Sequence, residues 1–305
     1  MKRIIGEYGS YNTGKLFIVF ASIHGNEKAG YNALVKLFDF FEKEKPKFKG
    51  KIIGLLGNIS AFEMDQRFIH KDLNRQWYPT KIIKLSALPF GLLNTSEDIE
   101  QKQLLDNLQY ILHQQKDKED ILMLDLHTTS AKGACMSITN LHKESVEYAK
   151  LFPSPVIDKM TAIISGTTLE YFYHLGIPGI AFESGQHDDP ESAQRAFSAM
   201  ISLFTGLNII DNNYKAQFSK EIEELRIYNK DLPFVSVVKH LHYIDDEDEF
   251  EMKKGYINFQ KVKKGELLGK DKSGDIFCPL DGLILMPLYQ KKGSDGFFII
   301  KSQEN

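Results

Sequence analysis

Three short fragments carry side chains that could share one metal ion: His24-Gly25-Asn26-Glu27, Asp125-Leu126-His127 and Phe182-Glu183-Ser184. Each follows an apolar run of strand character, at Leu16 to Ile23, Ile121 to Leu124 and Ile177 to Phe182. Strand ends are where an α/β sheet presents its reactive side chains. His24 and Glu27 stand three residues apart at a strand-to-helix junction, where one helical turn would bring both to one ion. His127 is the natural third ligand. Two imidazoles and a carboxylate, with water completing the set, suit a hydrolytic centre holding one Zn2+ per chain. Asp125, two residues earlier on an extended chain, shares a face with His127 and could orient it or fix a nearby loop.

Glu183 ends an apolar strand, where a carboxylate is costly to bury without a partner. It reads either as a helix-capping or ion-paired glutamate, or as a general base that serves the metal centre. Arg67 and the run Asp72-Leu73-Asn74-Arg75 fall in a long stretch without helical or strand period, from Asn58 to about Asn94. Loops of that length are often functional. One arginine there could polarise a carbonyl and hold the oxyanion that forms from it. A second arginine beside an asparagine could grip a carboxylate. The plainer reading is a loop ion pair between Asp72 and an arginine.

The elements that must position these residues alternate as strands and amphipathic helices up to about residue 208. A helix over Glu27 to Glu44 places Leu34, Leu37, Phe38 and Phe41 on one face. A strand over Lys51 to Gly57 follows. A capping signal at Thr95 or Ser96 opens a helix carrying Leu104, Leu105, Leu108 and Ile111. Thr167 precedes a short helix, and Pro190 to Leu207 reads as a closing helix. From about Tyr214 onward, short alternating runs such as Phe234 to Val238 and Gly282 to Met286 are separated by Gly- and Lys-rich turns. The expected division is therefore a catalytic domain over 1–210 and a smaller all-β domain over 211–305. The acidic run at 245–249 reads as a solvated loop.

Composition narrows the partners. The chain has 305 residues, of which 42% are hydrophobic, enough for a sizeable core. A formal net charge of −3 and the lack of a basic aromatic stripe disfavour a nucleic-acid partner. No apolar run approaches the length of a membrane span, and the first residues lack the apolar core of a signal peptide. Two isolated cysteines, Cys135 and Cys278, fit a reducing cytoplasm rather than a disulfide framework. A homo-oligomer is compatible with all of this.

Together, HGNE (24–27), DLNR (72–75), DLHTT (125–129) and FESG (182–185) resemble the succinylglutamate desuccinylase and aspartoacylase family, zinc-dependent amide hydrolases related to zinc carboxypeptidases. The resemblance covers about residues 16 to 207, and Lys264-Gly265-Glu266 with Pro279-Leu280-Asp281-Gly282 resembles that family's β-rich appended domain. It implies a carboxypeptidase-like mixed sheet flanked by helices. His24, Glu27 and His127 would be the zinc ligands, Glu183 the general base and Arg67 the arginine that polarises the scissile carbonyl. Asn74 and Arg75 would grip the α-carboxylate of an N-acyl amino acid. Tyr289 matches either a tyrosine that closes over the substrate or a core aromatic of the β domain.

The chain departs from the aspartoacylase pattern in one respect. The stretch Glu170-Tyr171-Phe172-Tyr173-His174 holds no arginine for a second substrate carboxylate. Its aromatic character predicts a less acidic, bulkier or more apolar substrate side chain. The expected activity is deacylation of an N-acyl amino acid at a linear amide, with cleavage of a small peptide or cell-wall fragment by a metallocarboxypeptidase as the rival.

Overall fold

The run Lys15–Ala21 is apolar on both alternating faces, which demands a strand covered on two sides. In the computed structural model, which describes residues 1–245 and 247–303, it is a buried interior strand, third from one edge of a large mixed sheet. The first seven strands are β1 (Ile4–Gly9), β2 (Lys15–Ala21), β3 (Gly50–Leu56), β4 (Ile121–Thr129), β5 (Met136–Thr139), β6 (Val156–Asp158) and β7 (Gly179–Gln186). The C-terminal ones are β8 (Val235–Tyr243), β9 (Glu251–Met252), β10 (Gln260–Val262), β11 (Leu267–Asp271), β12 (Gly274–Phe277), β13 (Gly282–Leu285) and β14 (Asp295–Ser302). Eleven of them form one sheet in the order β1-β3-β2-β4-β7-β5-β6-β8-β14-β13-β10. The block around it is parallel: β2 pairs with β3 and with β4, and β4 pairs with β7.

Alternate residues of β2 feed two apolar layers. Leu16, Ile18 and Phe20 face Trp77 and the helix Ser96–Gln114, which contributes Leu104 and Leu108. Phe17, Val19 and Ala21 face the helices Lys28–Glu44 and Ser192–Gly206, where Phe17 meets Phe204 edge-on at 5.0 Å. The helix Ser96–Gln114 starts where expected, with the Thr95 side chain accepting from the Asp98 N–H. The stretch read as aperiodic contains two short helices, Ile59–Glu63 and Pro79–Ala87. The second is only nine residues long and buries only Leu85, so its short amphipathic stretch was hard to separate from the surrounding loop.

The expectation of a separate all-β unit from residue 211 is corrected in two ways. Helices Asn213–Gln217 and Ser219–Tyr228 come first and bury Ile222 and Leu225 in the helical layer, where Phe218 packs on Phe40 at 5.3 Å. Then β8 pairs in parallel with β6, and β14 pairs with β8, so most C-terminal strands extend the main sheet. β9, β11 and β12 stand apart as a three-stranded sheet. An open edge at β6 leaves backbone N–H and C=O groups to be satisfied, and β8 satisfies them. Alternation along one strand does not reveal which edge it will join. Of the acidic run, Asp246 lies outside the described residues; Asp245, Glu247 and Glu249 are exposed, and Asp248 pairs with Lys272. Among the described residues, no helix is long and apolar enough to cross a membrane.

Candidate active site

β2 ends at Ala21, and the chain turns sharply before the helix that begins at Lys28. The turn is closed by the Glu27 N–H donating to the His24 carbonyl at 3.1 Å. Gly25 lies within it against the backbone of residue 61, where an added Cβ would stand 2.2 Å from the Ala61 carbonyl carbon. Only glycine allows that approach. His24 and Glu27 therefore converge through a tight turn rather than across a helix face; Glu27 is the residue before the first helical turn.

His24 Nδ1 lies 2.8 Å from Glu27 Oε1, and His127 Nδ1 lies 2.9 Å from Glu27 Oε2. Each imidazole uses its other nitrogen on a further carboxylate: His24 Nε2 is 3.1 Å from Asp72, and His127 Nε2 is 3.1 Å from Asp125. The Thr128 N–H also donates to Glu27 Oε2. His24, Glu27 and His127 are all buried, and their ligand atoms lie within 4.8 Å of one another. Burial raises the Glu27 carboxyl, but His24 and His127 override it and hold the group well below the usual carboxylate range. Burial likewise opposes charge on His127, but Asp125 and Glu27 outweigh it and hold its pKa well above that of a free imidazole. A buried cluster that favours positive charge so strongly, with both Nδ1 atoms turned to one carboxylate, suits a divalent cation. The donor set of two imidazoles and a carboxylate fits the expected metal.

Glu183 stands on β7 directly across from His127 on β4. It is 5% exposed, and its Oε2 has no hydrogen-bond partner among the described residues. It forms no helix cap and no ion pair among those residues, so the two plainer readings of this glutamate do not describe it. Burial, the largest cause, raises its carboxyl to about 7.

Arg67 donates through Nε and Nη2 to Asp72 Oδ2, at 3.2 and 2.9 Å, so the plain loop ion pair is present. Its Nη1 nevertheless lies 3.6 Å from Glu27 Oε1, inside the cleft. Asp72 also caps the short turn Leu73–Arg75 by accepting from the Asn74 N–H at 2.8 Å. The Asn74 side-chain oxygen accepts from the Thr168 N–H at 2.9 Å, while the Thr168 hydroxyl donates to Asp125 at 2.5 Å. Arg75 donates to the Asn74 carbonyl at 2.8 Å and pairs with Asp295 of β14. Residues 69–71 of this loop are anchored on Glu97, which is fully buried. Its carboxylate accepts the N–H groups of Ile69, His70 and Lys71 and the side-chain amide of Asn58.

These groups surround a cavity of about 100 Å³, with His24, Glu27, Arg67, Asn74, Arg75 and Glu183 among its walls. Met286, Leu288, Gln290 and Asp295 close it from the C-terminal segment. Tyr289 is not brought to the cavity. Its hydroxyl accepts from the Tyr256 N–H at 2.9 Å and lies 3.0 Å from the Lys253 carbonyl. The aromatic stretch before Glu183 does not reach it either: Phe172 is buried, Tyr171 packs on Trp77 at 5.3 Å, and Tyr173 is exposed. The ion pair of Asp72 with an arginine was expected, but its contact with His24, its cap on Asn74 and the whole role of Asp295 were not. Asp72 sits within the DLNR run and two residues before Asn74, a spacing that permits its cap. Asp295 has no local signal, because it arrives from 220 residues away.

Residues 13–203 match the family model of the succinylglutamate desuccinylase/aspartoacylase catalytic domain. A probable aspartoacylase of Nostoc sp. is 35% identical over 115 residues, a segment spanning 37% of this chain and only 35% of the relative. A probable aspartoacylase of Prochlorococcus marinus is 22% identical over 283 residues, covering 88% of this chain and 82% of the relative. The crystal structure of a succinylglutamate desuccinylase from Vibrio parahaemolyticus superimposes with a TM-score of 0.65 at 16% identity, covering 96% of this chain and 83% of that one. That likeness establishes a shared mixed α/β fold. The chain belongs to the succinylglutamate desuccinylase/aspartoacylase family.

Proposed function

We propose that this chain is a zinc-dependent hydrolase that removes the acyl group from an N-acyl amino acid by cutting a linear amide. The observation that carries the proposal is Glu183, a buried carboxylate with a free oxygen that neighbours the His24, Glu27 and His127 cluster across one strand pair. The likeness to zinc carboxypeptidases and a catalytic role centred on residues 1–210 belong to the same reading.

Bound by His24, Glu27 and His127, zinc would supply Lewis acidity to the substrate carbonyl and a nucleophilic water at neutral pH. The remaining work falls to the chain. Glu183 accepts a proton at Oε2 from the attacking water and later passes it to the leaving nitrogen. Arg67, steered by Asp72, faces the oxygen on which negative charge develops. Asn74, its amide oriented by Thr168, and Arg75 hold the carboxylate of the amino-acid half. Asp125 fixes the ring of His127. Tyr289 takes no part, because its hydroxyl is engaged elsewhere.

The cavity of about 100 Å³, closed on one side by Leu288, Gln290 and Asp295, supports a small substrate over a peptide or cell-wall fragment. The test is a screen of zinc-loaded protein against N-acyl amino acids varied in both halves, with short peptides alongside. Amine release from the acyl amino acids, abolished by a chelator and restored by zinc, is the expected result. Turnover of peptides alone would replace this reading with the carboxypeptidase one.

A further inference from the structure

Two guanidinium groups, Arg67 and Arg75, and four carboxylates, Glu27, Asp125, Glu183 and Asp295, line the cleft. With the imidazoles neutral as ligands, a divalent cation brings that formal sum to zero. Neither arginine is free: Arg67 is held by Asp72, and Arg75 by Asp295. A substrate with one carboxylate can share Arg75 and Asn74. A second carboxylate would find no unpaired cation among the described residues of the wall and would face Asp295.

The rest of the wall carries no charge: beside neutral polar groups such as Thr129, Ser130 and Gln290 it holds an apolar face that begins next to the base. Ala181 precedes Glu183 by two residues on β7, so it shares the same face about 6–7 Å away. Its partner on β5 is Ile138, and Met160, Ile164, Leu169 and Phe298 continue the same apolar layer. The one buried polar atom in this part without a partner among the described residues is the Thr161 hydroxyl. A hydroxyl can satisfy a neutral group but cannot neutralise a carboxylate.

We propose that Asp295, acting through Arg75, restricts this site to N-acyl amino acids that carry a single carboxylate and an otherwise apolar body. The proposal rests on the deacylase reading. It assigns Asp295 as a positioning residue that sets specificity, delivered by β14 of the C-terminal segment.

The test compares zinc-loaded wild type, Asp295→Asn and Asp295→Glu on four substrates. N-acetylleucine carries an apolar side chain, N-hexanoylglycine an apolar acyl group, and N-acetylaspartate and N-succinylglutamate carry extra carboxylates. Wild type should favour one of the first two by about tenfold or more in kcat/KM. Asp295→Asn should shrink that preference by about tenfold, mainly through a lower KM for the dicarboxylates, and Asp295→Glu should restore it. A merely structural Asp295 would lower kcat/KM for all four alike and leave the ratios unmoved, which overturns the proposal. So does a wild type that prefers N-acetylaspartate. Calorimetric binding of free leucine against free aspartate reads the same selectivity without turnover. Leucine preferred with no hydrolysis of any substrate would overturn the deacylase reading and keep the selectivity; aspartate preferred would overturn the selectivity alone.

Discussion

His127 of β4 and Glu183 of β7 are register partners in the parallel core of the sheet. Adjacent strands lie about 4.8 Å apart, and partners in register point to the same face. An imidazole of the candidate metal cluster and a carboxylate whose Oε2 has no partner among the described residues are thus set side by side by backbone hydrogen bonds, not by flexible loops. Sites built on strands hold their geometry more tightly than sites built on loops. The arrangement also explains why Glu183 stays unpaired. Its nearest strand neighbours are His127 on one side and the apolar Met136 on the other.

Glu183 should govern the pH profile. Its carboxyl is raised to about 7 by burial, from an ordinary value of 4.5. A base must be ionised to work, so kcat/KM should rise with pH along an acid limb of apparent pKa at or below about 7, the bound cation pulling it down. Glu183→Gln should lose about 10²–10⁴-fold in kcat and keep its metal. Stability runs the other way. The folded group holds its proton more tightly than the unfolded one, so its stabilising contribution is complete below the ordinary carboxylate value and is lost as pH rises through about 7. Metal-free wild type should therefore lose more thermal stability than metal-free Glu183→Gln between about pH 5 and pH 8. Equal losses would show that this carboxyl ionises normally.

Asp125 should act on metal affinity rather than on the chemical step. It is fully buried and lies 3.1 Å from His127 Nε2. Asp125→Asn keeps the shape and an acceptor for the Thr168 hydroxyl but removes the charge behind the imidazole. Zinc affinity, measured by chelator competition, should fall about 10–100-fold, with much of kcat retained at saturating zinc. Unchanged affinity would mean that the orientation of His127 is set by packing alone.

Glu97 should matter although it is far from any reacting atom. Its carboxylate gathers three backbone N–H groups and the Asn58 amide, which fixes the loop bearing Arg67 and Asp72. Glu97→Gln would turn an amide donor toward those donors, at a cost of about 2–4 kcal/mol in denaturant unfolding. A parallel fall in kcat/KM with zinc content preserved would tie the loop to the site. A variant as stable as wild type would show that the loop holds itself.

The legible part of this protein was local. Apolar runs announced β2, β4 and β7, Thr95 announced a helix, and HGNE, DLNR, DLHTT and FESG marked the residues that gather at the strand ends. The less legible features depend on partners distant in sequence. Helices Asn213–Gln217 and Ser219–Tyr228 fell where β structure was expected, because Ile222 and Leu225 are buried by a helical layer built elsewhere. Tyr289 looked able to reach the substrate, yet hydrogen bonds from the Tyr256 region turn it away.

The membership of the candidate site was therefore written in residue types and short spacings, since which side chains could ligate an ion or take a proton depends on what they are. The charge and shape of its surroundings were not. The Arg75–Asp295 pair, the continuation of the sheet from β6 into β8 and the wall joining Ala181 to Ile138 all join residues far apart in the chain. Such contacts form only when strand edges pair and cores close, so they depend on tertiary structure, which is why the cleft's charge and shape could be read only from the folded chain.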